Sequence, residues 1–148
     1  MLNTEELASP CGLFCGICPV YRAKEDRALA EKLAPKLGLP VEKVPCRGCR
    51  TQQGKVLGRS MCPTYQCITG RGYEFCYQCT DFPCLKLAPA AHRADDLPHN
   101  QKIYNLLLIQ KMGLENWAKE AQNVQRRYFR GKKDFGGDEL KVEDKTGK

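Results

Sequence analysis

Apolar residues recur with helical spacing in two stretches of the 148-residue chain and thin out between them. From about Val20 to Ala34 the pattern is helical, with Leu29, Leu33 and Leu37 four residues apart and Ala30 and Ala34 beside them. Lys24, Glu25, Asp26, Arg27, Glu31 and Lys32 form the solvated side of that amphipathic helix. Pro35 disturbs its last turn, and Gly38 with Pro40 ends it. In the second stretch Ile103, Gln110, Trp117 and Val124 lie seven apart, as do Leu107, Leu114, Ala121 and Tyr128. This heptad-like seam predicts helices near 100–112 and 114–130, divided at Gly113. Such a stripe either covers the rest of the domain or seals a homodimer. Asn3 and Glu6 have the spacing of a capping box, which predicts one helical turn before Ser9-Pro10. Beyond Gly131 the chain is Lys, Asp, Glu and Gly with few apolar residues, the composition of a disordered tail.

Between Cys46 and Cys84 the chain has little Leu, Ile or Val and much Gly, Gln, Arg and Pro. Burial alone cannot offset the entropy of ordering such a segment, so it needs staples. Cysteines supply them. All ten lie between positions 11 and 84, in three groups: Cys11, Cys15 and Cys18; Cys46, Cys49, Cys62 and Cys67; Cys76, Cys79 and Cys84. Each group contains a Cys-x2-Cys step, which turns the backbone so that two thiolates face one ion, as zinc and iron–sulfur centres require.

An even cysteine count also suits a secreted disulfide framework. The sequence opens on Asn3, Glu5 and Glu6 with no apolar targeting segment after them, and its longest unbroken apolar run is Leu106 to Ile109. These features predict a cytoplasmic chain with no membrane span, where repeated Cys-x2-Cys steps bind metal. The formal charge of +7 suggests an acidic partner. Two zinc sites of four thiolates would each add −2, leaving +3, so nucleic acid is a weak expectation on charge alone.

The spacing C-x2-C-x12-C-x4-C in the second group is close to that of zinc modules. It predicts one site of Cys46, Cys49, Cys62 and Cys67, with a small hairpin or loop between the pairs. The other site would take Cys15, Cys18, Cys76 and Cys79, with Cys11 and Cys84 as replacements or a further centre. Asp81 and Pro83 read as a helix start, and residues 85–99 as a connector. Three other chemistries fit parts of the pattern. Cys11-x3-Cys15-x2-Cys18 has the spacing of a radical-chemistry iron–sulfur motif, but Ile17 replaces the usual aromatic and no alternation of strand and helix follows. Cys15-Gly-Ile-Cys18 has thiol–disulfide spacing without the preceding strand. His92 and His99 flank Asp95 and Asp96 as ordinary surface residues. Arg126, Arg127, Arg130, Lys132 and Lys133, with Tyr128 and Phe129 among them, read as solvated charge or as a nucleic-acid contact.

The residues Cys11-Gly-Leu-Phe-Cys-Gly-Ile-Cys18-Pro19, Pro45-Cys46-Arg-Gly-Cys49-Arg50, Cys67 and Gly72-Tyr-Glu-Phe-Cys76-Tyr-Gln-Cys79-Thr-Asp-Phe-Pro-Cys84 carry a specific pattern. It resembles the cysteine-rich prokaryotic family catalogued as domain of unknown function 3795. Asn105-Leu106, Gly113-Leu114-Glu115 and Trp117 are similar too, extending the likeness over roughly residues 8–125. The resemblance implies a metal-binding bacterial or archaeal protein and supplies no reaction. Some relatives carry a further cysteine pair after the last helix, and this chain has none there.

The expected fold is a small metal-stabilised α-rich domain, α+β at most. Its cysteine-rich region, 1–99, is irregular, with short strands or loops and no sheet of more than three strands. It packs on a helical region, 100–130, for three to four helices in all, followed by the tail at 131–148. The expected function is a structural or interaction module holding about two Zn2+ ions, with a protein partner or a second copy on the 100–130 helices. The alternative is a [4Fe–4S] or thiol-redox protein. No residue set identifies a substrate, so the reading is non-catalytic.

Overall fold

A computed structural model describes residues 3–137 and 139–143. Among them are six α-helices: α1 (Thr4–Leu7), α2 (Pro19–Arg22), α3 (Arg27–Leu37), α4 (Pro63–Gly70), α5 (Lys102–Met112) and α6 (Leu114–Arg130). Short 3-10 turns join them, and the one sheet pairs β1 (Gly131–Lys132) with β2 (Lys141–Val142). The domain is α-rich, but six helices replace the three to four expected.

Local chemistry explains the difference. The stretch from Val20 to Ala34 is two helices, because the Asp26 carboxylate accepts the Leu29 N–H at 3.0 Å and starts α3 afresh. The residues before it are left as the single turn α2, begun by Pro19. The helix α4 has no apolar stripe and buries only Ile68, so periodicity gives no sign of it. Its sequence signal is Pro63 at the first helical position, directly after Cys62. At 81–83 no helix starts: Phe82–Pro83 is a cis peptide, and the next turn, Leu85–Leu87, begins after Cys84. The Asn3–Glu6 capping box forms as expected, with both hydrogen bonds at 2.9 Å. So does the division at Gly113, whose φ of 83° is open to glycine.

The main core joins α5 and α6 to the cysteine-rich segments. Ala8, Ile68, Phe75, Cys76, Leu87, Leu106, Ile109, Trp117 and Ala121 are buried together in it. Trp117 is fully buried, and its ring meets Phe14 edge-on with centroids 5.4 Å apart. The C-terminal stripe therefore covers the cysteine half within one chain. Gly12 lies so close to α5 that an added Cβ would come within 2.8 Å of the Lys102 carbonyl, and its own carbonyl accepts from Asn105 Nδ2 at 2.8 Å. A smaller core of Ala23, Ala30, Ala34 and Val44 seats α3.

The cysteine-rich segments are joined to one another by Arg50. Its Nε donates to the Ala8 carbonyl at 2.7 Å, Nη1 to the Glu74 carboxylate at 2.9 Å and Nη2 to the Glu74 carbonyl at 2.8 Å. The guanidinium also lies 5.0 Å from the Phe75 ring centroid. A planar fork with several fixed donors holds two chain segments in one geometry better than an ammonium, whose donors rotate on a flexible stem.

Where a disordered tail is expected at 131–148, the chain makes a two-residue antiparallel ladder, Gly131 opposite Val142 and Lys132 opposite Lys141. Leu140 sits at the Gly131 end of that ladder, and ion pairs of Lys132 with Glu143 and Lys141 with Asp134 close it. These local pairs order a segment too polar to form a core. The rest of the tail, residues 138 and 144–148, lies outside the described residues.

Arg50→Ala should lower stability by about 2–3 kcal/mol, because it strips a charged donor from two carbonyls and a carboxylate. Arg50→Lys should recover only a small part of that. Urea midpoints at constant slope measure both changes. A loss below about 0.5 kcal/mol for Arg50→Ala would show the clamp to be dispensable.

Candidate metal centre

Two of the three Cys-x2-Cys steps share one local design. Cys15–Ile17 and Cys76–Gln78 are 3-10 turns, each preceded by a phenylalanine, Phe14 and Phe75. Each closes on its second cysteine, Cys18 N–H to the Cys15 carbonyl at 3.0 Å and Cys79 N–H to the Cys76 carbonyl at 3.2 Å. The phenylalanines pack into the main core and the thiols stand at its edge. In the remaining step, the Gly48 N–H points at Cys46 Sγ, 3.4 Å away. Backbone N–H groups aimed at sulfur are what a thiolate needs to stay charged.

Around the third step, Cys67 from α4, Cys76 and Cys79 from the 3-10 turn, and Cys84 line one cavity together with Asp81. Its open space is about 30 Å³, room for one ion or a water or two. Burial first, and then the neighbouring Cys11, Cys84, Cys67 and Cys79, push the Cys76 thiol up to about 12. Arg71 donates to Cys79 Sγ at 3.0 Å and to the Asp81 carboxylate at 2.7 Å, and the Asp81 N–H reaches Cys79 Sγ at 3.4 Å.

The other six cysteines gather where the first and second groups meet. The Cys49 N–H is hydrogen-bonded to the Cys15 thiol, and Cys18, Cys46 and Cys11 lie near enough that a charge on any of them would raise it further. Burial raises Cys15 to about 11. Cys49 is raised to about 12, again by burial first and then by Cys11, Cys15 and Cys62. Cys46 is also raised by burial, against the Gly48 N–H, and its thiol donates to Gln52 Oε1 at 3.1 Å. Cys11, 3.4 Å from Ser9 Oγ, is a charge neighbour of both gatherings.

The structure thus groups the cysteines differently from their spacing. Cys67 joins Cys76, Cys79 and Cys84 instead of Cys46, Cys49 and Cys62. Cys15 and Cys18 join the second group instead of Cys76 and Cys79. The reason is α4: Cys62 stands at its N-terminal boundary and Cys67 is five residues on. Five helical residues turn the chain by about 140° and advance it by about 7.5 Å, so a C-x4-C pair there cannot face one ion.

All ten cysteines are free thiols. Among the described residues, no three Cys, His, Asp or Glu side chains already converge on one point. Even so, the donor set at the third step fits a soft cation: four cysteines from three chain segments line a space the size of one ion. Thiols this crowded and buried cannot all ionise without a cation, so binding one would expel their protons. Hard oxygen-preferring ions find one carboxylate there, Asp81, already paired with Arg71. His99 is hydrogen-bonded through Nε2 to the Ala90 carbonyl at 2.9 Å.

Cys67→Ser and Cys84→Ser should each remove the same metal equivalent, and Cys62→Ser should leave it in place. Elemental analysis of variants purified without oxygen reads this directly. Loss of one and the same ion in Cys62→Ser and Cys67→Ser would refute the grouping.

The model of a family described as "Protein of unknown function (DUF3795)" matches residues 7–89. The match takes in α1 from its last residue through α4 and every cysteine, and stops before α5. No curated protein and no solved structure matches the chain. A match over more than half of the chain that contains all ten cysteines settles its kinship: the chain belongs to the DUF3795 family.

Proposed function

We propose that the protein is a non-catalytic, metal-stabilised module holding about two Zn2+ ions through cysteine thiolates. The observation that carries this reading is the cavity walled by Cys67, Cys76, Cys79 and Cys84. Its size suits one ion better than a four-iron cube, and closed sites of four thiolates leave no coordination position for a substrate. The second ion would draw on the six cysteines of the other gathering, with Cys15, Cys18, Cys46 and Cys49 as two facing Cys-x2-Cys steps. No helix among the described residues is long and apolar enough to cross a membrane. Free thiols in this number require a reducing compartment, so we place the protein in the cytoplasm. A protein partner or second copy would dock on α5, where Tyr104 and Leu107 are exposed one turn apart.

An iron–sulfur role is the second reading. It is favoured by the two cysteines beyond eight and by the Arg71 hydrogen bond to Cys79, since charged donors to sulfur tune such clusters.

Protein purified without oxygen should be colourless and hold about two zinc ions per chain. Broad absorption near roughly 400 nm would establish iron–sulfur instead, because zinc has a filled d shell. Less than one metal per chain with all thiols free would overturn both readings. Complete chelation should melt residues 11–84 and leave part of the α5 and α6 signal in circular dichroism. An unchanged spectrum would show that folding does not depend on metal.

A further inference from the structure

The helix α6 has two faces. Trp117, Ala121 and Val124 are buried against the core. The outer stripe is Gln122, Gln125, Arg126, Phe129 and Arg130, at the i, i+3, i+4, i+7, i+8 spacing of one helical side. With Arg22, the last residue of α2, and the turn at Gly16 and Ile17, this stripe lines an open groove of about 750 Å³.

No acidic residue is among those lining residues. Arg22 and Arg130 are exposed and have no carboxylate partner among the described residues. An ordinary solvated helix face mixes both signs of charge and carries no large aromatic. Here Phe129 is 39% exposed and lines the groove together with arginines. Its ring is braced edge-on by Tyr128, centroids 4.8 Å apart, and the Tyr128 hydroxyl is anchored by donating to the Ala94 carbonyl at 3.0 Å. The exposed ring is thus held in place.

The chemistry selects the ligand. Guanidinium forks match phosphate oxygens. Carboxamides such as Gln122 and Gln125 both donate and accept, as base edges do. A braced, exposed phenyl offers a face for a base to stack on. From Gln122 to Arg130 the stripe runs about 12 Å along the helix, so it suits a strand lying along it better than a single phosphate. An acidic peptide would satisfy the charges and leave Phe129 and the carboxamides without a purpose. We propose that this groove binds single-stranded nucleic acid, with phosphates on Arg22 and Arg130 and a base stacked on Phe129.

Fluorescence anisotropy of the full chain tests this with labelled RNA and DNA oligonucleotides of about 12 nucleotides, within the site size of such proteins. A polyglutamate peptide of equal charge serves as competitor. Phe129→Ala should weaken binding roughly 5- to 100-fold, and Phe129→Tyr should restore it. Arg22→Gln and Arg130→Gln should each flatten the log–log salt dependence by about 0.7. Lys111→Gln, on the distant end of α5, removes the same charge and should change neither affinity nor slope by as much. Equal affinity for RNA and DNA, or a preference for either, supports the proposal. Competition by polyglutamate as strong as by the oligonucleotide would overturn it. So would groove variants that behave like Lys111→Gln while keeping the native circular dichroism spectrum.

Discussion

Arg50 donates to the carbonyl before the first cysteine group and to both the carboxylate and the carbonyl of Glu74, just before the third, while itself following Cys49 directly. One side chain therefore ties three segments together, beside the apolar core that Ala8 and Phe75 share. Each bond is charge-assisted, and the side chain is only 17% exposed, so water competes weakly for it. Phe75 under the guanidinium carries this order into the main core, where Trp117 and Phe14 meet. The helices α5 and α6 then act as a lid on the cysteine loops.

That frame holds thiols closer than isolated thiols would sit. Burial first, and then the charge that neighbouring thiolates would carry, raise Cys15, Cys49 and Cys76 above their ordinary value, which opposes their ionisation further. A divalent cation inverts this balance by supplying the missing positive charge. Where the backbone turns its N–H groups toward sulfur, at Gly48 and Asp81, part of that stabilisation is already built in. Arg71 adds a side-chain donor to Cys79 at the mouth of the four-cysteine cavity. These arrangements support the metal-binding reading.

The helix α6 links the two halves of the argument. Its inner face is needed for the core, and its outer face carries arginine, glutamine and an exposed phenylalanine in one stripe. The groove between that face and the Cys15–Cys18 turn puts a basic, aromatic surface next to the cysteine loops.

Residues with local signals were legible in the sequence. The Asn3 capping box, the break at Gly113 and the extents of α5 and α6 follow from caps, glycine and period, all of which act over a few residues. The family was legible for the same reason, since Cys-x2-Cys steps are local. How those cysteines group was not. The choice turned on α4, a helix with no apolar stripe, which rotates Cys67 away from Cys62 and toward Cys76. It also turned on Arg50, whose bonds reach 42 residues back and 24 forward along the chain. Spacing records how the backbone turns between neighbours. Which distant thiols share a cavity depends on packing and hydrogen bonds between segments, and only the tertiary structure decides that.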